Sequence, residues 1–335
     1  MIKKLVIAAV IFQLLALAGM IAQREYILHT GKEVYLRTAP IDPRDIFRGD
    51  YVRLDYTFLT VPIERTRNLP VSISKKGQRV YVVLKESANG VYTFDYLTGE
   101  KPSAGIFIAG RTNQRRYQSV NEVIRVKYGI EKFFLEQDSG LKLEKERGGR
   151  NDYQRPMEIK VAVSKSGTAM IKDFRWSPIS MKLTEERQEA DRNRNRDDPP
   201  VSPILNLGLK NASEQPLAIL NTDNLCMLQL KTDERRASNS IISNNNACEG
   251  IKADSKDVVI LAPGEEFTTR IDLNESRWYV VKDDKEDHIA AIDQRAQMYR
   301  INYDTENYNN LRKEFPNLWL GKLPSRAFNS RGRID

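Results

Sequence analysis

Residues 38–56 read TAPIDPRDIFRGDYVRLDY, a stretch that combines two prolines, a Gly-Asp pair and an alternating strand pattern. Each proline fixes its own φ angle and disfavours a helical residue before it, so Pro40 and Pro43 predict an extended, rigid approach. Gly49 can take a positive φ at no steric cost, and Asp50 can accept a backbone N–H as an Asx turn. The stretch therefore predicts a tight turn that leads into a β-strand.

The strand after this turn alternates between apolar and polar side chains. Successive strand residues point to opposite faces of a sheet, so Val52, Leu54 and Tyr56 share one face. This face is the apolar one, and we expect it to be buried. The opposite face carries charged residues and should be exposed.

Five charged side chains lie on the predicted turn, namely Asp42, Arg44, Asp45, Arg48 and Asp50. One interpretation is structural, with these charges serving the turn and the entry to the strand. The other is that they form a recognition surface together with Tyr51, because loops on rigid scaffolds often carry function. We retain this set as the candidate recognition turn.

The turn and the strand carry a resemblance to a known family. Residues 49–56 read GDYVRLDY and match the pattern GDYxxLxY, which resembles the GDYXXLXY family of membrane-anchored bacterial proteins. In that family a Pro-x-Asp-Pro-Arg segment typically precedes the motif, and here residues 40–44 read PIDPR. A second block at residues 128–134, YGIEKFF, is similar to the other signature of the family and adds Glu131 to the candidate site. Further matching positions downstream are Glu136, Gly140, Leu143 and Glu144.

The resemblance covers residues 34–175 and implies a lineage without an assigned reaction. Within it, Asp50 and Glu131 are carboxylates that could meet across the sheet, and burial of such a pair would raise one of the two pKa values. The alternative is that Asp50 serves the turn while Glu131 forms an ion pair. The candidate partners of Glu131 are Arg44, Arg48 and Arg125.

The composition indicates a folded chain with a mixed, slightly basic charge. The 335 residues suffice for two domains of ordinary size. The chain has 53 basic and 45 acidic residues, a net charge of +8. Nucleic-acid binding requires basic residues gathered on one element with interleaved aromatic residues, so we expect no nucleic-acid partner. A basic surface that faces an anionic membrane or envelope polymer is a milder interpretation.

The N-terminus predicts a membrane segment. Residues 5–22 are uncharged and long enough to cross a lipid bilayer as a helix, so residues 1–23 are predicted to be a transmembrane anchor. Lys3 and Lys4 place the N-terminus in the cytoplasm. A cleaved signal peptide is the alternative, because residues 16–18 read ALA. Either way, we expect a single-pass protein of the bacterial inner membrane with a periplasmic or extracytoplasmic body.

Cys226 and Cys248 are the only two cysteines in the sequence. An even pair in an exported protein predicts a disulfide, worth about 3 kcal/mol in the chain-entropy model. The alternative is two unpaired, small apolar side chains.

The remaining pattern is mainly β. After a polar stem at residues 23–31, a β-rich GDYXXLXY domain is predicted for residues 34–178. A charged segment with little apolar content predicts a linker at residues 179–203. Short strands and frequent turns then predict a β-sandwich at residues 204–330, which weakly resembles an immunoglobulin-like domain.

The sequence contains little that indicates catalysis. The two histidines, His29 and His288, lie in the stem and in a charged turn, and no zinc, phosphate-binding or hydrolase motif occurs, so no metal or cofactor is predicted. The arrangement around residues 40–52 is loosely similar to signal-peptidase-like serine proteases, in which Lys85 would be the positional candidate for the base. Pro40 occupies the position of the nucleophile there and has no hydroxyl.

We therefore predict a non-catalytic, envelope-facing interaction or scaffold protein with a multi-pass membrane protein as partner. A processing hydrolase on a signal-peptidase-like β scaffold and a binder of an anionic envelope polymer are the alternatives. The identity of the partner and the physiological process do not follow from the sequence.

Overall fold

The computed structural model shows a mainly β protein with one long N-terminal helix, which confirms the predicted class. It describes thirteen parts of the chain: residues 2–41, 51–69, 76–113, 123–134, 139–149, 151–186, 203–233, 241–242, 248, 252–282, 285–289, 298–330 and 332–334. Residues 2–176 are called the N-terminal half below, and residues 179–334 the C-terminal half.

Helix α1 spans Ile2–Thr30. Its apolar side chains are exposed along most of its length, and its most apolar part has a mean hydropathy of 2.6. It is the one helix in the described residues that is long and apolar enough to cross a membrane, a property that anchors and signal sequences share. The stem predicted at residues 23–31 is helical up to Thr30, because the helix continues through a segment without glycine or proline.

Gly31 alone separates α1 from the first strand. Its N–H donates to the carbonyl of Ile27 at 2.8 Å and so closes the last helical turn. A Cβ atom at this position would lie 2.6 Å from the Ile27 oxygen and 3.1 Å from the backbone nitrogen of Val163. Only glycine fits such a close approach, and the helix therefore passes directly into the sheet.

Eleven strands of the N-terminal half form one sheet within the described residues. They are β1 (Lys32–Ile41), β2 (Tyr51–Asp55), β3 (Thr60–Pro62), β4 (Thr66–Arg67), β5 (Arg79–Glu86), β6 (Val91–Thr98), β7 (Ile106–Thr112), β8 (Val123–Lys127), β9 (Lys132–Phe134), β10 (Met157–Val163) and β11 (Ala169–Trp176). The main order is β11-β10-β1-β6-β5-β7-β8-β3, and a helix, α2 (Ser139–Arg147), precedes β10.

The family motif lies on β2, which pairs antiparallel with the end of β1 and with β9. Leu54 and Tyr56 are fully buried, Val52 is half-buried and Arg53 is exposed, so the predicted inward and outward faces are confirmed. Burial of this apolar face against the sheet fixes the register of the strand, since a shift by one residue would expose it.

The C-terminal half contains twelve strands within the described residues. They are β12 (Ile179–Glu186), β13 (Ile204–Asn211), β14 (Leu217–Leu220), β15 (Leu228–Thr232), β16 (Ile241–Ile242), β17 (Val258–Leu261), β18 (Glu266–Asp272), β19 (Tyr279–Lys282), β20 (Lys285–His288), β21 (Met298–Asp304), β22 (Lys322–Pro324) and β23 (Phe328–Asn329). Strands β12-β13-β18, β14-β17 and β15-β21-β22, with β23 paired to β21, contribute to one apolar core, and β16-β19-β20 form a further sheet.

The linker predicted at residues 179–203 is wrong over its first part. Residues 179–186 form β12, which pairs along its whole length with β13. The reason is that Ile179, Met181 and Leu183 alternate and are buried in the core of the C-terminal half. Only residues 177 and 178 separate β11 from β12, and residues 187–202 lie outside the described residues.

Cys226 and Cys248 form a disulfide with a Cα–Cα distance of 5.5 Å. The bond joins the segment before β15 to a residue in the long connection between β15 and β17. The Cys226 N–H donates to Thr222 Oγ1 at 3.2 Å and to Asn224 Oδ1 at 3.1 Å. The disulfide thus ties a long connection to an ordered turn.

We predict that replacing both cysteines by alanine lowers the free energy of unfolding by about 3 kcal/mol, because the unfolded chain regains the freedom of the closed loop. Denaturant unfolding of the wild type with and without reductant measures the same quantity. The double variant serves as the control, since it should not respond to reductant. A wild-type midpoint that is unchanged by full reduction would contradict the prediction.

A second prediction concerns Glu33 near the start of β1. Its carboxylate accepts from the amines of Lys160 and Lys172, each at 2.6 Å, and these bonds lower its pKa to about 2. A carboxyl whose folded pKa is depressed stabilises the fold above its ordinary pKa and loses this contribution as the pH falls toward the depressed value. The stability difference between wild type and Glu33→Gln should therefore be constant above pH 4.5 and vanish toward about pH 2.

Denaturant midpoints of the two proteins at a series of pH values measure this difference. A difference that is independent of pH over this interval would contradict the assignment.

Candidate functional site

A cleft of about 350 Å³ lies where the two halves meet, and we call it the junction cleft. Its walls come from β1, β2 and β6, from residues 154–156, and from β15, β21 and β22 of the C-terminal half. Eight lining residues are basic, namely Arg37, Arg65, Arg147, Arg155, Lys231, Arg300, Lys322 and Arg326. Two are acidic, Asp55 and Asp233.

A buried carboxylate, Glu158, holds Arg37, one of the residues that line this cleft. Arg37, Glu158 and Arg175 lie opposite one another on the neighbouring strands β1, β10 and β11. Glu158 accepts from Arg37 Nη2 and from Arg175 Nε, both at 2.8 Å, and its side chain is only 2 % exposed. A buried charge is tolerated when it is paired and hydrogen-bonded, and here one carboxylate holds two guanidinium groups.

Arg37 also joins the two halves. Its Nη1 donates to the backbone carbonyl of Lys322 on β22, and its guanidinium lies 5.8 Å from the ring centroid of Trp319. The Lys322 amine in turn lies 3.2 Å from a carboxylate oxygen of Asp304 and of Glu306. Although burial opposes it, these carboxylates raise the pKa of Lys322, so the amine stays charged.

A second set of contacts joins the two halves at β12 and β13. Gln154 and Met181 exchange two backbone hydrogen bonds, at 2.8 and 3.0 Å. The Tyr153 ring packs so closely on β13 that a Cβ atom at Gly208 would lie 2.5 Å from its hydroxyl oxygen. Burial and the carboxylate of Glu266 raise the pKa of Tyr153 to about 12, so its hydroxyl remains a donor.

Aromatic and aliphatic side chains form the rest of the lining. Tyr56 and Phe58 stack at a centroid distance of 5.2 Å, and Arg65 lies 4.5 Å over the ring of Phe94. The Tyr56 hydroxyl donates to the carbonyl of Ile130, and burial together with Glu131 raises its pKa, which keeps the phenol neutral. The lining of the cleft therefore combines basic and aromatic side chains.

The predicted recognition turn falls largely outside the described residues. This holds for Asp42, Arg44, Asp45, Arg48 and Asp50. Tyr51 is the first residue of β2, where its backbone pairs with Phe134. Residues 42–50 connect Ile41 of β1 with Tyr51 of β2, and of these two strands Thr38 and Asp55 line the junction cleft.

Glu131 has a structural position in the described part of the chain. Its carboxylate accepts from the backbone N–H groups of Tyr128 and Gly129, and its carbonyl accepts from the Leu54 N–H at 2.9 Å. Of its three candidate ion-pair partners, Arg125 forms no salt bridge with Glu131 within the described residues, and Arg44 and Arg48 lie outside them. The second family block thus supports the strand that carries the first.

Lys85 lies on β5 and is exposed. Among the described residues, no serine or threonine hydroxyl is hydrogen-bonded to its amine, whereas Thr93 Oγ1 donates to its backbone carbonyl at 3.4 Å. A serine–lysine mechanism requires the hydroxyl within reach of the amine, so this residue does not support the hydrolase alternative. No cluster of potential metal ligands occurs within the described residues either.

The residues of the junction cleft were not predicted from the sequence. Glu158 is the one signal that could have indicated them, since it is an acidic residue between Met157 and Ile159 in an otherwise apolar strand start. A charge at such a position requires a partner. The identity of that partner, Arg37, follows only from the strand order.

These observations describe a protein with an apolar N-terminal helix, followed by a β-rich body that contains a basic cleft. Residues 13–174, from within α1 to β11, match the family model of GDYXXLXY proteins, and this match confirms the family that the two sequence blocks resemble. None of the curated proteins and none of the solved structures matches the chain.

We predict that Glu158→Gln lowers the free energy of unfolding by about 3 kcal/mol, because it leaves the buried guanidinium of Arg37 without its counter-charge. Denaturant unfolding measures the loss. The matched control is Glu186→Gln, which breaks an exposed pair with Arg270 and should cost less than about 1 kcal/mol. Equal losses of unfolding free energy in the two variants would show that the buried ion pair contributes no more to stability than the exposed one.

Proposed function

We propose that this chain is a membrane-anchored, non-catalytic interaction protein whose body docks onto a multi-pass membrane protein. The anchor is α1, with the N-terminus in the cytoplasm of a bacterium and the body on the other side of the inner membrane. The candidate recognition turn at residues 42–50 makes the contact with the partner.

The observation that carries this proposal is the continuity from α1 to the turn. Gly31 alone separates the helix from β1, and β1 runs for ten residues to Ile41. At the usual rise of a strand this is a distance of about 30 Å. Strands β10 and β6 pair with β1 on its two sides, so the turn starts from a supported strand at a fixed distance from the helix.

This distance places a requirement on the partner. A membrane protein that touches the turn needs an extramembrane segment that extends about as far from the end of α1 as β1 does. A partner with only short loops at the bilayer would not reach it. We therefore expect the partner to carry a sizeable extramembrane loop or domain.

Two further observations support the export of the body. The disulfide between Cys226 and Cys248 is typical of oxidising compartments, and α1 is long and apolar enough for a membrane anchor. We also propose that residues 204–330 form an immunoglobulin-like sandwich. Its support is that several short antiparallel sheets contribute to one core.

The test is a triple substitution, Asp42→Ala, Arg44→Ala and Asp50→Ala, in the full chain in native membranes. We predict that recovery of the partner by crosslinking and mass spectrometry falls about tenfold or more, because charged contacts at a recognition surface are lost. The thermal unfolding midpoint should stay close to that of the wild type.

The matched control removes two acidic and one basic side chain elsewhere on the same half, with Asp95→Ala, Glu100→Ala and Lys101→Ala, all at exposed positions. Partner recovery equal to that of this control would exclude the turn as the contact. Loss of the fold in the triple variant would show that the turn is structural.

A further inference from the structure

One amide interrupts the apolar part of α1. Gln13 is the only strongly polar side chain between Leu5 and Ala22, and it lies at the middle of that span. At the rise of a helix, each end of the span is about 12 to 14 Å away, which is farther than a glutamine side chain reaches. Within the described residues its side chain is exposed and has no hydrogen-bond partner. In a bilayer this amide would be out of reach of water, and an unsatisfied polar group in hydrocarbon is costly.

Small side chains flank Gln13 on the same side of the helix. Ala9 precedes it by four residues and Ala16 follows it by three, and residues at these spacings are neighbours on a helix surface. The same alternating spacing continues to the end of α1 and defines the amide face, which comprises Ala9, Gln13, Ala16, Met20, Gln23 and Ile27. Alternation of four and three residues is the pattern of a left-handed helix pair, and the two alanines allow another helix to approach the amide closely.

The body of the protein stands on the same side of α1 as this face. Ile27 is 7% exposed and the adjacent Tyr26 is 68% exposed, so the end of the helix buries one side only. It packs there on β10 and β11. Ile27 follows Gln13 by fourteen residues, just under four turns, so the two side chains project within about 40° of each other around the helix axis. Strands β10 and β11 therefore lie above the amide face.

This position of the body selects the occupant of the face. In a two-fold pair of this chain the amide faces of both copies would meet, with the helix axes about 8–10 Å apart. At the level of Ile27, however, that face is already covered by β10 and β11 of its own chain, and a second α1, which also runs to Thr30, would collide with them. A helix that ends before the level of Ile27 avoids this collision.

We infer that the amide face of α1 binds a transmembrane helix of a different membrane protein, which carries an amide or hydroxyl side chain opposite Gln13 and ends at the bilayer surface beneath β10 and β11. The inference rests on the proposed function, because it requires that α1 spans the membrane and that the partner is a membrane protein. An amide both donates and accepts hydrogen bonds, so a side chain of this kind satisfies it. A multi-pass partner has other segments that can reach the turn at residues 42–50.

The test uses the full chain in native membranes, with a photoreactive residue in place of Met20 on the amide face. The products are identified by mass spectrometry. Gln13→Leu removes the amide and keeps the bulk of the side chain. We expect the yield of crosslinked partner to fall about fivefold, which corresponds to about 1 kcal/mol for a hydrogen bond between helices. An unchanged yield would overturn the role of the amide.

The matched control is the double variant Gln13→Leu, Leu15→Gln. It has the composition of the wild type, but its amide projects about 160° away around the helix axis. Its crosslinking yield should be as low as that of Gln13→Leu, while carbonate extraction should leave all three chains in the membrane. A wild-type yield from the double variant would show that an amide on any side of the helix suffices, and would overturn the face.

Two further arms decide the kind of occupant. A photoreactive residue in place of Ala18, on the opposite side of the helix, should give little crosslinked partner, and equal yields from positions 18 and 20 would overturn the face. The product from position 20 should map to a transmembrane helix of another protein. A product of twice the mass of this chain would overturn the inference in favour of a second copy.

The failure of this inference is distinguishable from the failure of the proposed function. If crosslinking does not depend on Gln13 but the complex still depends on the turn at residues 42–50, only the helix contact is lost. If the amide is required but the turn variant keeps its partner, the turn is lost as the contact and the amide face remains. A mature chain that lacks residues 5–22, shown by its mass, would overturn the anchor and the helix contact together.

Discussion

The ion pair between Arg37 and Glu158 is the constraint on which the junction of the two halves depends. A carboxylate that is almost fully buried must have a counter-charge, and β1 and β11 each supply one from the register of the sheet. This fixes the guanidinium of Arg37 in a position where Nη1 points out of the N-terminal half toward β22. The backbone of β22 then accepts this donor, and the C-terminal half is placed by a group that the sheet has already ordered.

The junction also uses backbone carbonyls as acceptors. Arg37 and Arg155 donate to the carbonyls of Lys322 and Ser177, while Glu158 compensates the charge of Arg37. A protein that only had to hold its halves together could use apolar packing instead, which is often at least as stable as buried ion pairs.

Local structure could be predicted from the sequence where it depends on neighbouring residues. The alternation of Leu54 and Tyr56 predicts the inner face of β2, and the apolar run of Met157–Val163 predicts β10. The site could not be predicted, because Arg37 and Glu158 are 121 positions apart and Arg37 and Lys322 are 285 apart. Such pairs follow from the strand order, and a pattern of neighbouring residues does not reveal that order.

One error has a different origin, since the signal was present. The charged residues near position 185 suggested a linker, whereas the alternation of Ile179, Met181 and Leu183 predicts the strand that the structure has. Polarity there described the exposed face of a strand and was taken for the absence of one.

Gly31, the single residue between α1 and β1, couples the orientation of the helix to that of the sheet. Gly31 is held by its N–H bond to Ile27 and by its close approach to Val163 of β10, so a rotation of the end of α1 is passed on to the sheet. Transmembrane helices tilt by about 20° on average, and over a strand of about 30 Å such a rotation moves the far end by about 10 Å. If α1 spans a bilayer as proposed, a mismatch between its apolar length and the bilayer thickness, which helices accommodate in part by tilting, would shift the start of the recognition turn relative to neighbours in the membrane.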